Sequence, residues 1–134
     1  MRIMWICGGL LPDGLSAIGL RDERVNGGFM NASFTRISEA EAGNEFCVLA
    51  WDCRPCDVQV GKVHHVSFGG GSVVGTPSAL DCDRAKKAIA AFAPDVVHIL
   101  GTEGVFAHLP RDVFGSIPVV VSMQGVMAAC AEAF

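Results

Sequence analysis

The sequence predicts an α/β fold in which a doubly wound, mostly parallel sheet is flanked by helices. Short apolar runs of strand type alternate along the chain with helical segments, which is the pattern of a doubly wound sheet. The later runs are almost continuous in apolar residues, and such runs are typical of parallel strands buried on both faces. The 134 residues fit one domain spanning 1–134.

Each element follows from its own residues. Five apolar or β-branched runs predict strands: 2–7, 46–51, 62–68, 95–101 and 117–123. In the third of these, Val63, His65 and Ser67 share one face. The remaining elements are an irregular stretch over 10–26, a helix from about 28 to 42, the clearest helix over 81–93 and a short turn or helix over 103–109.

Composition limits the partners and the compartment. A net charge of −4 and a pI near 5.4 argue against nucleic acid as a partner. No 18-residue uncharged apolar run predicts a transmembrane helix, and the first apolar run is too short for a signal peptide. We therefore expect a cytoplasmic protein with six reduced cysteines.

Cys53 and Cys56 form a C-x-x-C pair, which has two interpretations. Strand-like residues follow the pair, whereas a thioredoxin-type pair opens a helix, so incidental loop thiols are favoured over a redox site. No second pair lies at zinc-site spacing, so no metal is predicted.

Ligands of open parallel sheets bind beyond the carboxyl ends of the strands. The segments that follow the predicted strands are rich in glycine, which lets a ligand approach the backbone closely. Gly27 and Gly28 open a helix and so predict a phosphate contact, although they also suit a tight loop-to-helix turn.

Three further side chains stand at or near strand ends. Glu103 is a candidate catalytic base or acceptor of sugar hydroxyls, or else a carboxylate favoured by a helix N-terminus. Gln124 suits a neutral polar ligand or a role in tying down its own loop. His98 lies within a buried strand and is predicted to be a hydrogen-bonded core residue rather than a ligand.

The order of these motifs resembles the N-terminal domain of GT-B glycosyltransferases, and among them the family 4 group. The likeness covers nearly the whole chain, and four motifs in order carry it: strand 2–7 with Gly8-Gly9, Gly27-Gly28 before a helix, Pro94 to Ile99, and Pro118 to Gly125. The fold implied is a Rossmann-like acceptor-side domain. Two departures are Leu100 and Gln124, where many relatives carry histidine.

The resemblance implies transfer of a sugar from a nucleotide-sugar donor to a glycan or lipid-linked acceptor, with retention of configuration and no metal or other cofactor. Gly27 and Gly28 would contact the donor phosphates. The acceptor-side cleft would hold the residues that follow the strands, namely Gly9, Thr102, Glu103, Gln124 and Gly125.

The family also has a C-terminal donor-binding domain, so we expect this chain to be an incomplete enzyme, inactive alone and prone to oligomerise through uncovered sheet. A non-catalytic subunit that pairs in trans with a donor-binding chain is the alternative, and a C-x-x-C redox protein is the third hypothesis. Besides a location in the cytoplasm, a peripheral location at the inner face of the plasma membrane is an alternative.

Overall fold

The residues that the structure describes form one six-stranded sheet flanked by helices, so the fold belongs to the α/β class. The computed structural model describes residues 1–21, 32–36, 39, 43–70, 75–102 and 104–123. The strands are β1 (Arg2–Cys7), β2 (Glu45–Ala50), β3 (Pro55–Val60), β4 (Val63–Phe68), β5 (Val96–Leu100) and β6 (Val119–Ser122). The helices are α1 (Pro12–Ala17), α2 (Ala79–Phe92), a helical stretch over 32–36, and two 3₁₀ turns, Val105–His108 and Arg111–Val113.

The sheet has the order β3-β4-β2-β1-β5-β6, and every neighbouring pair is parallel except β3 with β4. The other five strands are parallel and lie in the order β4-β2-β1-β5-β6. Numbered in chain order without β3, this is the order 3-2-1-4-5. The direction of winding therefore reverses between β1 and β5. In open α/β sheets, the crevice outside the strand ends at such a reversal is where ligands bind.

The two faces of the sheet are covered by different connections. Helix α2 and the two 3₁₀ turns pack on one face, against the sheet residues Met4, Ile6, Cys47, Leu49, Val97 and Ile99. Helix α1 and Phe34 pack on the other face, against the sheet residues Trp5, Cys7, Phe46, Val48, Ala50 and Cys56. Because helices lie on both sides, the central strands are buried on both faces, as their continuous apolar runs predict.

Helix α2 is bounded by strong local signals. Ser78 caps its N-terminus: the Ser78 hydroxyl accepts a hydrogen bond from the Asp81 amide, and the Asp81 carboxylate accepts one from the Ser78 amide. At the other end Ala93 adopts a left-handed conformation with φ of 48°, and Pro94 follows.

Two sequence predictions need correction here. The stretch 10–26 is not irregular throughout, because Pro12–Ala17 forms α1 with Pro12 at its first turn. In addition, Pro55–Val60 is a separate edge strand, joined to β4 by a two-residue turn in which Gly61 has φ of 57°. Of the helix predicted over 28–42, residues 32–36 and 39 are helical, and the others lie outside the described residues.

Within the ranges given above, no helix has both the length and the apolar content needed to cross a membrane.

Candidate functional site

The candidate site is the crevice where β1 and β5 end side by side. Gly8 and Gly9 follow β1, and Gly101 and Thr102 follow β5. The Gly8 backbone is exposed, whereas Gly9 is buried and its carbonyl accepts a hydrogen bond from the Cys7 thiol at 3.2 Å. Gly101 has φ of 96°, a conformation that side-chain-bearing residues rarely adopt, and its amide is fixed by the Ser122 carbonyl at 2.8 Å.

One side of this crevice is closed by the Phe106 ring. A Cβ added at Gly104 would overlap that ring, and a Cβ at Gly8 would lie 3.2 Å from it. Gly104 is therefore required for the 3₁₀ turn to pack against the end of β1, whereas a side chain at Gly8 would require the Phe106 ring to shift by a few tenths of an ångström. Because the packing is close, main-chain atoms line this side of the crevice. A ligand at Gly8 would contact backbone amides and carbonyls.

The described residues that follow β1 and β5 are Gly8, Gly9, Leu10, Gly101, Thr102 and Gly104, and Glu103, the one charged residue of these two sequence segments, lies outside the described residues. Thr102 supplies a hydroxyl that can donate and accept. Backbone amides and carbonyls together with one hydroxyl can bind the hydroxyl groups of a polar ligand.

A second polar group lies beside the crevice, on β5 and β6. His98 Nε2 and Ser122 Oγ share a hydrogen bond of 2.6 Å, and the Trp5 ring packs edge-on against the imidazole with centroids 5.3 Å apart. Burial lowers the pKa of His98, so its imidazole is neutral at neutral pH. The predicted hydrogen bond of His98 is confirmed, but its side chain is half-buried rather than part of the core.

Asp52, just beyond the end of β2, was not singled out in the sequence. It is buried, and its carboxylate accepts hydrogen bonds from the Leu10 amide, from the Arg54 amide and from the Arg54 guanidinium. The Arg54 side chain holds the pKa of Asp52 well below its usual range. The only sequence signal was an acid two residues before an arginine at a strand end.

The structure places two of the predicted site residues at the crevice, namely Gly9 and Thr102. The other five lie outside the described residues: Gly27, Gly28, Glu103, Gln124 and Gly125. The phosphate, base and acceptor roles expected of those five stay predictions.

The C-x-x-C pair has the wrong geometry for a thioredoxin-type site. Cys53 is exposed, whereas Cys56 is buried within β3, and burial raises the pKa of the Cys56 thiol. A thioredoxin-type pair lies at the N-terminus of a helix, whereas this pair leads into a strand. No group of three or more His, Cys, Asp or Glu in the described part of the chain is arranged to hold a metal ion.

Comparison with models of known families, with curated proteins and with solved structures finds no significant match to this chain.

Proposed function

We propose that the chain is the acceptor-side domain of a glycosyltransferase that uses a nucleotide-sugar donor, with the acceptor bound at the crevice between β1 and β5. The order of motifs that resembles the GT-B family 4 group supports this proposal. The class of sheet also supports the proposal, because open α/β sheets bind their ligands where the strand order reverses.

The single observation that carries the proposal is the glycine-rich edge of that crevice, at the carboxyl ends of β1 and β5. An acceptor glycan is neutral and rich in hydroxyls, so it needs backbone amides and carbonyls together with a side-chain hydroxyl such as that of Thr102. The exposed Gly8 backbone lets a sugar ring come close to the main chain. The donor phosphates are assigned to Gly27 and Gly28, and proton acceptance to Glu103, all outside the described residues.

Acceptor binding tests the proposal directly. Neutral mono- and disaccharides titrated into the ¹⁵N-labelled chain are expected to shift the amide signals of Gly8, Gly101 and Thr102 saturably. Thr102→Val keeps the shape but removes the hydroxyl, so the affinity should fall about fivefold, the value of one hydrogen bond. Thr76→Val is the matched control, because Thr76 is exposed and follows neither β1 nor β5. Equal affinity in both variants, or shifts confined to other regions, would contradict the proposal.

A transfer assay distinguishes an acceptor-side domain that needs a separate donor domain from a chain that is active alone. The chain is incubated with a nucleotide-sugar and an acceptor, with and without a separately produced donor-binding domain of a family 4-like glycosyltransferase. Product formed only in the mixture supports an acceptor-side domain that works with a donor domain. Turnover by the chain alone would show that the donor site is on this chain, and would overturn the division of roles.

A further inference from the structure

His65 on β4 is a buried polar residue that lies outside the crevice. Its side chain is 1% exposed, and neither ring nitrogen has a hydrogen-bond partner among the described residues. In the sheet it lies between Val48 of β2 and Val58 of β3, which share its face. Buried polar side chains almost always have such a partner, so the unpartnered imidazole of His65 costs folding free energy.

Helix α1 covers this imidazole. Gly14 of α1 lies so close to the ring that a Cβ there would be 2.8 Å from His65 Nδ1. Leu15 of the same helix is buried against Ala50 and Cys56 of the sheet. Because the strands on either side of His65 belong to the sheet, α1 is the described element whose movement would expose the ring to water.

Helix α1 is a short element that depends on its contacts with the sheet. It has six residues, and its N-cap residue Leu11 makes no side-chain hydrogen bond to the first turn. Helices this short are not stable on their own in water. Gly8 and Gly9 lie just before this segment, and Gly19, with φ of 76°, follows it. The helix can therefore leave the sheet in a local opening that costs less free energy than global unfolding.

The titratable groups around His65 do not compensate for its burial. Burial is the largest influence and lowers the pKa of His65; Asp13 on α1 opposes this shift, and His64 on β4 adds to it. On β3, the Cys56 thiol donates to the His65 carbonyl, and burial raises the pKa of that thiol, so it is uncharged. The described residues that β2 contributes to this face are not titratable, namely Phe46, Val48 and Ala50. The covered ring is therefore neutral at pH 7.

We propose that His65 is a pH-sensitive switch: when its imidazole binds a proton, α1 leaves the sheet while the sheet itself stays folded. The charged ring is hydrated in the open form and has neither water nor a partner in the closed form, so protons favour opening. Because Gly9 and Leu10 connect the crevice to α1, opening also releases the segment that follows β1. The test uses the chain alone and no sugar, so its outcome does not depend on the proposed transferase function.

Amide hydrogen exchange measures this opening residue by residue. The Ile18 and Leu20 amides donate to the Leu15 carbonyl and report on α1, whereas the Trp51 amide donates to the Cys7 carbonyl and reports on the sheet. A ring that is protonated only when exposed, with a pKa of about 6.5, shifts the opening equilibrium up to about 25-fold between pH 7 and pH 5. We expect the protection of the α1 amides, corrected for intrinsic exchange, to fall at least about tenfold over this range.

The same experiment distinguishes local opening from global unfolding. At pH 5 the α1 amides should be at least about tenfold less protected than the Trp51 amide, and low concentrations of urea should not accelerate their exchange. Equal protection of α1 and the sheet at pH 5, or protection of α1 that is the same at pH 7 and pH 5, would overturn the proposal.

Two neighbouring histidines assign the effect to one ring. His65→Leu should make the protection of α1 the same at pH 7 and pH 5, whereas His64→Gln should leave the fall in place, because His64 pairs with Asp57 on the opposite face of the sheet. A fall that persists in His65→Leu would overturn the assignment. The wild type gives a readout that needs no variant: in an NMR titration from pH 7 to pH 4, the His65 ring should gain its proton over the same pH range in which the α1 amide signals shift. A ring that becomes charged while those signals stay in place would also overturn the proposal.

Discussion

Arg54 holds both carboxylate oxygens of Asp52, with Nε 2.7 Å from Oδ1 and Nη2 2.8 Å from Oδ2. The Leu10 amide also donates to Oδ2, at 3.3 Å, from the segment that follows β1. In addition, the Ser67 hydroxyl on β4 donates to the Asp52 carbonyl at 3.2 Å. Asp52 therefore links the carboxyl ends of three neighbouring strands, and a carboxylate engaged in this way has a structural role rather than one in proton transfer.

The first prediction follows from this carboxylate. Asp52→Asn keeps the shape but replaces one acceptor oxygen with a donor that faces the Arg54 guanidinium. We expect the free energy of unfolding to fall by about 1–3 kcal/mol, the cost of disrupting buried, charge-assisted hydrogen bonds. Urea denaturation at pH 7 measures this change. Asp112→Asn is the control: its partner Lys86 is a surface residue, so the loss should be far smaller.

The second prediction concerns the effect of acid pH on the Asp52–Arg54 pair. Because the folded-state pKa of Asp52 is lowered, its contribution to stability is complete above the unfolded-state pKa of about 3.9 and is lost as the pH falls below it. The difference in unfolding free energy between the wild type and Asp52→Asn should therefore shrink between pH 5 and pH 3. A difference that stays constant over this range would mean that Asp52 is not the group that titrates.

The third prediction concerns the start of α2. Ser78→Ala removes the hydroxyl that accepts from the Asp81 amide at 3.2 Å and donates to its carboxylate at 2.7 Å. A lost N-cap of this kind costs about 1 kcal/mol. Thermal unfolding should show a lower melting temperature for Ser78→Ala and a smaller change for Ser78→Thr, which keeps the hydroxyl. Equal losses in both variants would mean that the hydroxyl is not what matters.

The sequence was sufficient for the parts of the fold that depend on local signals. Apolar β-branched runs predicted the strands at 2–7, 46–51 and 95–101 to within about a residue or two at each end, and the helix predicted over 81–93, ended by Pro94, matches α2 to within two residues at its start and one at its end. It was insufficient for α1, because six residues show too little periodicity to stand out from a loop. There the missed signal was Pro12 at the first helical position.

The site depends more on tertiary contacts, which spacing alone does not reveal. Asp52 gains its role from Leu10, 42 residues away, so nothing near it in the sequence except Arg54 indicates that role. The edge strand β3 stands where a helical crossover usually connects two parallel strands, and no strand order could be inferred from the sequence. By contrast, Thr102 could be predicted, since the end of a parallel strand is a local feature.

The fourth prediction concerns His65 on β4, which is buried with no hydrogen-bond partner for either ring nitrogen among the described residues. Burial lowers its pKa; Asp13 on α1 opposes that shift, and His64 adds to it. Since the folded state disfavours the charged form, stability is complete above the unfolded-state pKa of about 6.5 and falls as the pH drops below it. His65→Leu should retain or raise the unfolding free energy at pH 7 and weaken its decline between pH 6.5 and pH 5, as measured in urea.

A control for this experiment is available in His98, whose pKa is also lowered by burial but whose imidazole has the Ser122 hydroxyl as a partner. His98→Leu leaves that hydroxyl without its partner, so it should lower stability at pH 7, unlike His65→Leu. If both substitutions destabilise equally at pH 7, the absence of a partner at His65 is not what sets its energetics.

The fifth prediction concerns the contact between α1 and that same imidazole. A Cβ at Gly14 would lie 2.8 Å from Nδ1 and 2.9 Å from Cγ of His65, too close for either group to remain in place. Alanine favours a helix over glycine by about 1 kcal/mol, but overpacking a buried site costs about 1–3 kcal/mol. Gly14→Ala should therefore reduce the unfolding free energy on balance.

A double-mutant cycle separates these two effects of Gly14→Ala. In a His65→Ala background the imidazole is absent, so Gly14→Ala should become neutral or stabilising through its helix propensity alone. Gly43→Ala is the control for the general effect of removing a glycine, because no atom of the described residues lies within 4 Å of a Cβ placed there. If Gly14→Ala costs as much in the His65→Ala background as in the wild type, the close approach of α1 to β4 at His65 is not the cause.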